Sequence, residues 1–281
     1  MNRREFIGCA AATLAAGCVD ARPGVRWIAW AMVVALCASA AVSAVQHENP
    51  VIAEGRPDPS VGAGEDGWHG TNVETSKQVQ VELPRIAVFG GSFSRIKPSA
   101  EAKDAWAKAL GCTVDTYGVN GCGFEAGRSK GDDVGGQVKR ALASGRSYKA
   151  FVLWASGNDC RYPPEATSNG VERAVKLIRE RAPKAKVVLL NSIDEPFRDD
   201  KLRTKLRACA EAQVGICAKL GVPVLDLHGS SGITKENGRE LVCEDNCHMT
   251  AAGYRFIAPM TTEFLVRNLK KDGAWEANDD R

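Results

Sequence analysis

Histidine is scarce in this 281-residue chain, which holds only His47, His69, His228 and His248. A zinc site normally combines imidazoles with a C-x-x-C pair, and the chain has neither such a pair nor a histidine cluster. No metal and no other cofactor is therefore expected. Acidic and basic residues nearly balance, 34 Asp and Glu against 37 Lys and Arg, so there is no basic stripe for nucleic acid. The Gly90-Gly91-Ser92 turn has no G-x-G-x-x-G spacing and no Lys following in a Walker position, so a phosphate-cradling loop is a weak reading. No internal repeat is present.

What the chain does have is Asp245-Asn246-Cys247-His248-Met249-Thr250 near its end, a carboxylate three residues ahead of an imidazole. A nucleophilic hydrolase needs a base whose second ring nitrogen is oriented by an acceptor, and this spacing supplies both from one loop. Far upstream, the apolar run 86–89 breaks into Gly90-Gly91-Ser92, a turn that would present Ser92 at the carboxyl end of a strand. Taken alone it reads equally well as an ordinary strand-to-helix turn. Two further segments fall between these ends: Tyr117-Gly118-Val119-Asn120-Gly121, and Ser156-Gly157-Asn158-Asp159 directly after the apolar run 151–154.

These four segments, in this order, resemble the blocks of the SGNH (GDSL-type) hydrolase superfamily, which comprises esterases and lipases. The resemblance runs from about residue 85 to 271 and implies a flavodoxin-like three-layer α/β/α sandwich with a five-stranded parallel sheet. It implies Ser92 as nucleophile, with Asp245 and His248 completing a Ser-His-Asp triad. It also implies an oxyanion hole formed by the N–H groups of Ser92 and Gly121 and the side-chain amide of Asn158. Two positions depart from the pattern: Gly91 stands where the family usually has Asp, and Ser156 where the third block usually has Gly. Asp159 is read as a brace for its loop. His228, in Asp226-Leu227-His228, is a rival base that lacks an acid at the favoured spacing.

The remaining pattern is consistent with that architecture. Apolar runs at 86–89, 114–117, 151–154, 187–190 and 222–227 read as five buried strands. Helical patterns at 100–110, 134–143, 170–181, 201–220 and 250–269 alternate with them, the arrangement of a parallel sheet covered on both faces. The active site of such a sheet lies beyond the carboxyl ends of its strands.

Residues 1–45 read as an export signal, a membrane anchor or both. Arg3-Arg4 resembles a twin-arginine signal, and Leu14-Ala15-Ala16-Gly17-Cys18 resembles a lipobox with Cys18 as the lipidated residue. The uncharged run 27–45 can barely span a bilayer and also ends like a Sec-type signal peptide. The expected location is periplasmic, cell-surface or secreted, with a possible membrane tether. Residues 46–77, rich in Gly, Pro, Asp and Glu, read as a flexible linker. Residues 78–281 form the hydrolase domain, in which 78–83 alternates like an edge strand.

That domain carries Cys112, Cys122, Cys160, Cys209, Cys217, Cys243 and Cys247. The last two bracket Asp245, and a disulfide there would stiffen the loop. Free buried thiols are the other reading. The function expected is hydrolysis of a small-molecule or glycan ester, an acetyl ester on a carbohydrate being the family-level expectation. Acyl transfer to a sugar hydroxyl and non-catalytic glycan binding are the alternatives.

Overall fold

The computed structural model describes residues 83–270 together with Trp275. The expected signal at 1–45, the linker at 46–77 and all of the 78–83 strand except Leu83 lie outside the described residues. Five strands form one sheet: β1 (Arg85–Gly90), β2 (Thr113–Thr116), β3 (Ala150–Trp154), β4 (Lys186–Leu190) and β5 (Val224–Leu225). Their order is β2-β1-β3-β4-β5, and every pairing is parallel. The principal helices are α1 (Ala100–Leu110), α2 (Val134–Ala143), α3 (Pro164–Arg181), α4 (Asp200–Leu220) and α5 (Ala251–Leu269).

The apolar runs of β1, β3 and β4 are uninterrupted because both faces of the sheet are covered, whereas the edge strands β2 and β5, expected to be buried, are only half-buried. Ile86, Val88, Val152, Trp154 and Leu190 point to one face and pack with Trp106 and Leu110 of α1 and Ile257 and Leu265 of α5. Ala87, Phe89, Phe151, Leu153 and Leu189 point to the other and pack with Val138 of α2, Val175 and Ile178 of α3 and Cys217 of α4. Each of the larger of these side chains contributes roughly 1.5–3 kcal/mol by leaving water. This is the flavodoxin-like three-layer α/β/α sandwich. Its strand order reverses between β1 and β3, the switch point where such sheets open a crevice for ligands.

Two elements differ from the sequence pattern. Helix α3 starts at Pro164, six residues before the apolar period begins at Gly170; proline suits the first turn, and Glu165 there faces the helix dipole. The run 222–227 yields only two paired residues. Val222 instead bonds back to Cys217 of α4, its N–H donating to that carbonyl at 2.9 Å. At the far end, Asp226 caps a helical turn, Leu227–Ser230, by accepting the Gly229 N–H.

The carboxyl end of β1 is held by a side chain from α2. Gln137, fully buried, accepts the Gly90 N–H at 2.8 Å and donates to the Gly90 carbonyl at 2.9 Å. It also donates to the Asp132 carbonyl at 2.9 Å. Replacing Gln137 by Ala leaves the buried Gly90 N–H without this partner, at about 1–3 kcal/mol, whereas the Gly90 carbonyl keeps the Val119 N–H at 3.0 Å. Gln137→Ala is therefore expected to lower unfolding free energy by about 1–3 kcal/mol, read from urea denaturation with an unchanged slope.

Candidate active site

Ser92 opens a short helical turn, Ser92–Arg95, two residues beyond the end of β1. Gly90 has φ +140°, and a Cβ there would lie 1.9 Å from the Trp154 carbonyl oxygen of β3. Only glycine permits the two strand ends to come this close. The turn after β1 and the segment after β3 are thereby set side by side.

His248 arrives from the other end of the chain. Val242 and Met249 form an isolated antiparallel bridge, and the Cys243 N–H donates to the His248 carbonyl at 2.7 Å. Between them the backbone reverses through Asn246 at φ +58°, a left-handed conformation that asparagine tolerates better than most residues. Thr250 then caps α5, accepting the Gly253 N–H at 3.1 Å. From α5, the Tyr254 hydroxyl donates to the Phe93 carbonyl at 2.9 Å, tying the helix that follows His248 to the serine turn.

These constraints bring the three widely separated residues into line. His248 Nε2 lies 2.7 Å from Ser92 Oγ, and His248 Nδ1 lies 2.5 Å from Asp245 Oδ2. The other carboxylate oxygen of Asp245 accepts the N–H groups of Cys247 and His248, each at 3.0 Å. Partial burial pushes the Asp245 carboxyl up. The hydrogen bonds from His248 and the two backbone N–H groups outweigh that and hold it down at about 2.

Ser92, His248, Gly121 and Asn158 line one cavity of about 420 Å³, to which Phe93, Ile96, Leu202 and Leu206 add apolar lining. That volume suits a small-molecule site. Asn158 Nδ2 donates to the Cys122 carbonyl at 3.1 Å and to Ser156 Oγ at 3.0 Å. Asp159 is fully buried and accepts the backbone N–H groups of Phe124, Glu125 and Ala126 at 2.8–3.0 Å. Burial pushes its carboxyl up, while those three N–H bonds pull it down. The Asp159 carboxylate thus braces the loop after β2 and not, as expected, the loop that carries it.

His228 lies elsewhere. Its backbone N–H donates to Asn191 Oδ1 at 3.1 Å, and it lines a different cavity with Arg207 and Asp226. The disulfide expectation is corrected: all seven cysteines among the described residues are free. Cys247 Sγ points instead toward Glu195 Oε1 at 3.6 Å, and burial pushes its thiol up to about 12. Cys160 lines the cavity, whereas Cys122 is buried and reaches the site through its carbonyl.

Sequence reasoning missed Gln137, Glu195 and the Tyr254 tie. Glu195 is 2% exposed, accepts from Arg198 Nε at 2.9 Å and lines the cavity beside Gly157. It sits in no recognisable motif. Tyr254 falls in the stretch that continues the last block, but nothing there named Phe93 as its partner.

The GDSL-like Lipase/Acylhydrolase family matches residues 88–256, a stretch that includes Ser92, Gly121, Asn158, Asp245 and His248. The chain belongs to this family, within the SGNH superfamily that its four blocks resemble. It is 27% identical over 130 residues to the human platelet-activating factor acetylhydrolase IB subunit alpha2, across 44% of this chain and 54% of that protein. The chain thus spans about half the length of the curated relatives it matches. Among solved structures it superposes on an aryl esterase of M. smegmatis with a TM-score of 0.53 at 16% identity, covering 66% of this chain and 100% of the other. A carbohydrate acetylesterase from Sinorhizobium meliloti gives a TM-score of 0.52 at 13% identity, with coverages of 66% and 99%. At these identities the structural likeness establishes the fold.

The Asp245 environment sets a pH signature. Its folded value, about 2, lies below the ordinary 3.8, so ionised Asp245 stabilises the fold above about pH 4. That contribution is lost as pH falls toward 2. Asp245→Asn is expected to be less stable than wild type at pH 6, with the difference shrinking between pH 4 and 2 in parallel chemical denaturation. A difference constant across that range would contradict the assignment.

Proposed function

We propose that the chain is a serine esterase that forms an acyl-enzyme on Ser92. The observation that carries this reading is the continuous hydrogen-bonded line from Ser92 Oγ through His248 to Asp245, at 2.7 and 2.5 Å. A serine hydroxyl is a weak nucleophile at neutral pH, and His248 Nε2 is placed to take its proton during attack on the ester carbonyl. Asp245 fixes the imidazole tautomer and stabilises the imidazolium as it forms. The oxyanion is met by the N–H groups of Ser92 and Gly121 and by the Asn158 amide.

Collapse of the tetrahedral intermediate expels the alcohol, which takes the proton from His248. Water, activated by the same imidazole, then attacks the acyl-enzyme. A second tetrahedral intermediate releases the carboxylic acid and restores Ser92.

The substrate we infer is a short-chain acyl ester, with a carbohydrate O-acetyl group as the natural case. The modest cavity supports this, as do the names of a related acetylhydrolase and a carbohydrate acetylesterase of the same fold. Acyl transfer to a sugar hydroxyl uses the same first half-reaction and differs only in the acceptor. We further infer export, on the strength of the 1–45 segment, with lipidation at Cys18 as one form of tether.

Hydrolysis of p-nitrophenyl acetate is expected to exceed that of longer-chain esters. Ser92→Ala and His248→Ala are each expected to lower turnover by at least about 10³-fold without changing the melting temperature appreciably. Asn158→Ala is expected to lower kcat by about 10²–10³ with little change in KM. Retention of full turnover in Ser92→Ala would overturn the reading. Product analysis with and without an acceptor sugar distinguishes hydrolysis from transfer.

A further inference from the structure

The two places where this chain departs from its family's blocks are neighbours in space. A Cβ on Gly91 would sit 2.7 Å from Ser156 Oγ, 2.9 Å from Ser156 Cβ and 2.5 Å from the Cys122 carbonyl oxygen. Gly91 has φ −92°, outside the left-handed region, and what a side chain there would lack is space. The space is taken by Ser156, which is 4% exposed and whose hydroxyl donates to the Cys122 carbonyl at 2.8 Å.

That hydroxyl also accepts from Asn158. Nδ2 of Asn158 forms a near-equilateral triangle with the Cys122 oxygen and Ser156 Oγ, with sides of 3.1, 3.0 and 2.8 Å. The two acceptors therefore subtend only roughly 55° at the nitrogen, whereas the two N–H bonds of a planar amide diverge by about 120°. A single N–H directed between the two acceptors can serve both, which leaves the other for a ligand in the cavity that Asn158 lines. On the opposite side of the amide, Arg161 donates from Nη2 to Oδ1 at 3.4 Å and from Nε to the Asn158 carbonyl at 3.2 Å. The amide is thus held the same way round from both sides.

We propose that Ser156 is a positioning residue: its buried hydroxyl, seated in the space that Gly91 leaves, fixes the Asn158 amide so that one N–H is pre-aimed at the oxyanion. This rests on the esterase reading above. A donor that is already aimed costs no reorganisation as charge develops, so the effect falls on the transition state more than on substrate binding. Ser156→Ala removes the hydroxyl, keeps Cβ and leaves Cys122 as the remaining anchor for Nδ2. Ser156 acts only through Asn158, so its loss has no consequence once the amide is gone.

The test is a double-mutant cycle on p-nitrophenyl acetate with the whole protein, comparing wild type, Ser156→Ala, Asn158→Ala and the double variant, with Ser92→Ala as control. Ser156→Ala is expected to lower kcat about ten-fold with KM within two-fold, and the double variant to match Asn158→Ala within two-fold. An unchanged kcat in Ser156→Ala would overturn the proposal. So would a loss of similar size in both backgrounds, the mark of a role in general loop stability. Activity that depends on Ser92 but not on Asn158 would also overturn it while leaving the esterase reading intact. Activity indifferent to Ser92→Ala, or none in folded wild type, would overturn both.

Discussion

Everything in the site depends on how closely the carboxyl ends of β1 and β3 approach. A side chain at position 90 would collide with the Trp154 carbonyl, so the chain accepts a glycine there, and with it a soft spot in a central strand. Gln137 compensates by binding both backbone groups of Gly90 from a neighbouring helix. The gain is geometric. Ser92 leaves β1 two residues later and Ser156 leaves β3 two residues later, so two loops from non-consecutive strands share one small space. The strand order reverses at this same point, which is where a doubly wound sheet opens its crevice.

The third contribution, from the C-terminal end of the chain, is held by packing and not by strand pairing. Helix α5 lies against α1, with the Trp106 indole N–H donating to Thr261 Oγ1 at 2.9 Å in a buried contact. Trp154, at the end of β3, sits in the same cluster, 5.1 Å from Trp106 and 5.9 Å from Tyr254 between ring centroids. The Tyr254 hydroxyl then reaches the Phe93 carbonyl, one residue beyond the serine. The His248–Ser92 contact spans 156 residues of sequence, yet each end is fixed to the same aromatic cluster. Ser92 and His248 are thereby set by rigid elements, which positional accuracy in a site requires.

Much of this was legible in the sequence, and the boundary of what was legible has a physical basis. Buried parallel strands must be apolar on both faces, so β1, β3 and β4 announce themselves as uninterrupted runs, whereas the edge strand β2 carries Asp115 and is only half-buried. The fifth strand did not begin where its apolar run began, because the Val222 N–H turns back to Cys217 of α4. The start of α3 was missed because its first turns, around Glu165 and Ser168, carry no apolar stripe. The reacting groups were visible because each sits in a short motif placed beside a strand end. Their supports were not: Gln137 and Glu195 are polar residues that composition assigns to the surface, and only the folded chain shows them buried. The spacing of Cys243 and Cys247 left a bridge and free thiols both open, and the folded loop turns the Cys247 thiol toward Glu195. The meaning of Gly91 and Ser156 likewise lay in their contact, which no one-dimensional motif contains.

The central claim is that Ser92 is a nucleophile activated by His248. It is tested most directly by treating the protein with a fluorophosphonate and locating the adduct by mass spectrometry of its peptides. The account predicts a single phosphonylated site at Ser92, formed rapidly in wild type and at least about a hundred-fold more slowly in His248→Ala, since the imidazole no longer takes the hydroxyl proton. A folded protein that resists the reagent, or an adduct on another residue with Ser92 unmodified, would contradict it.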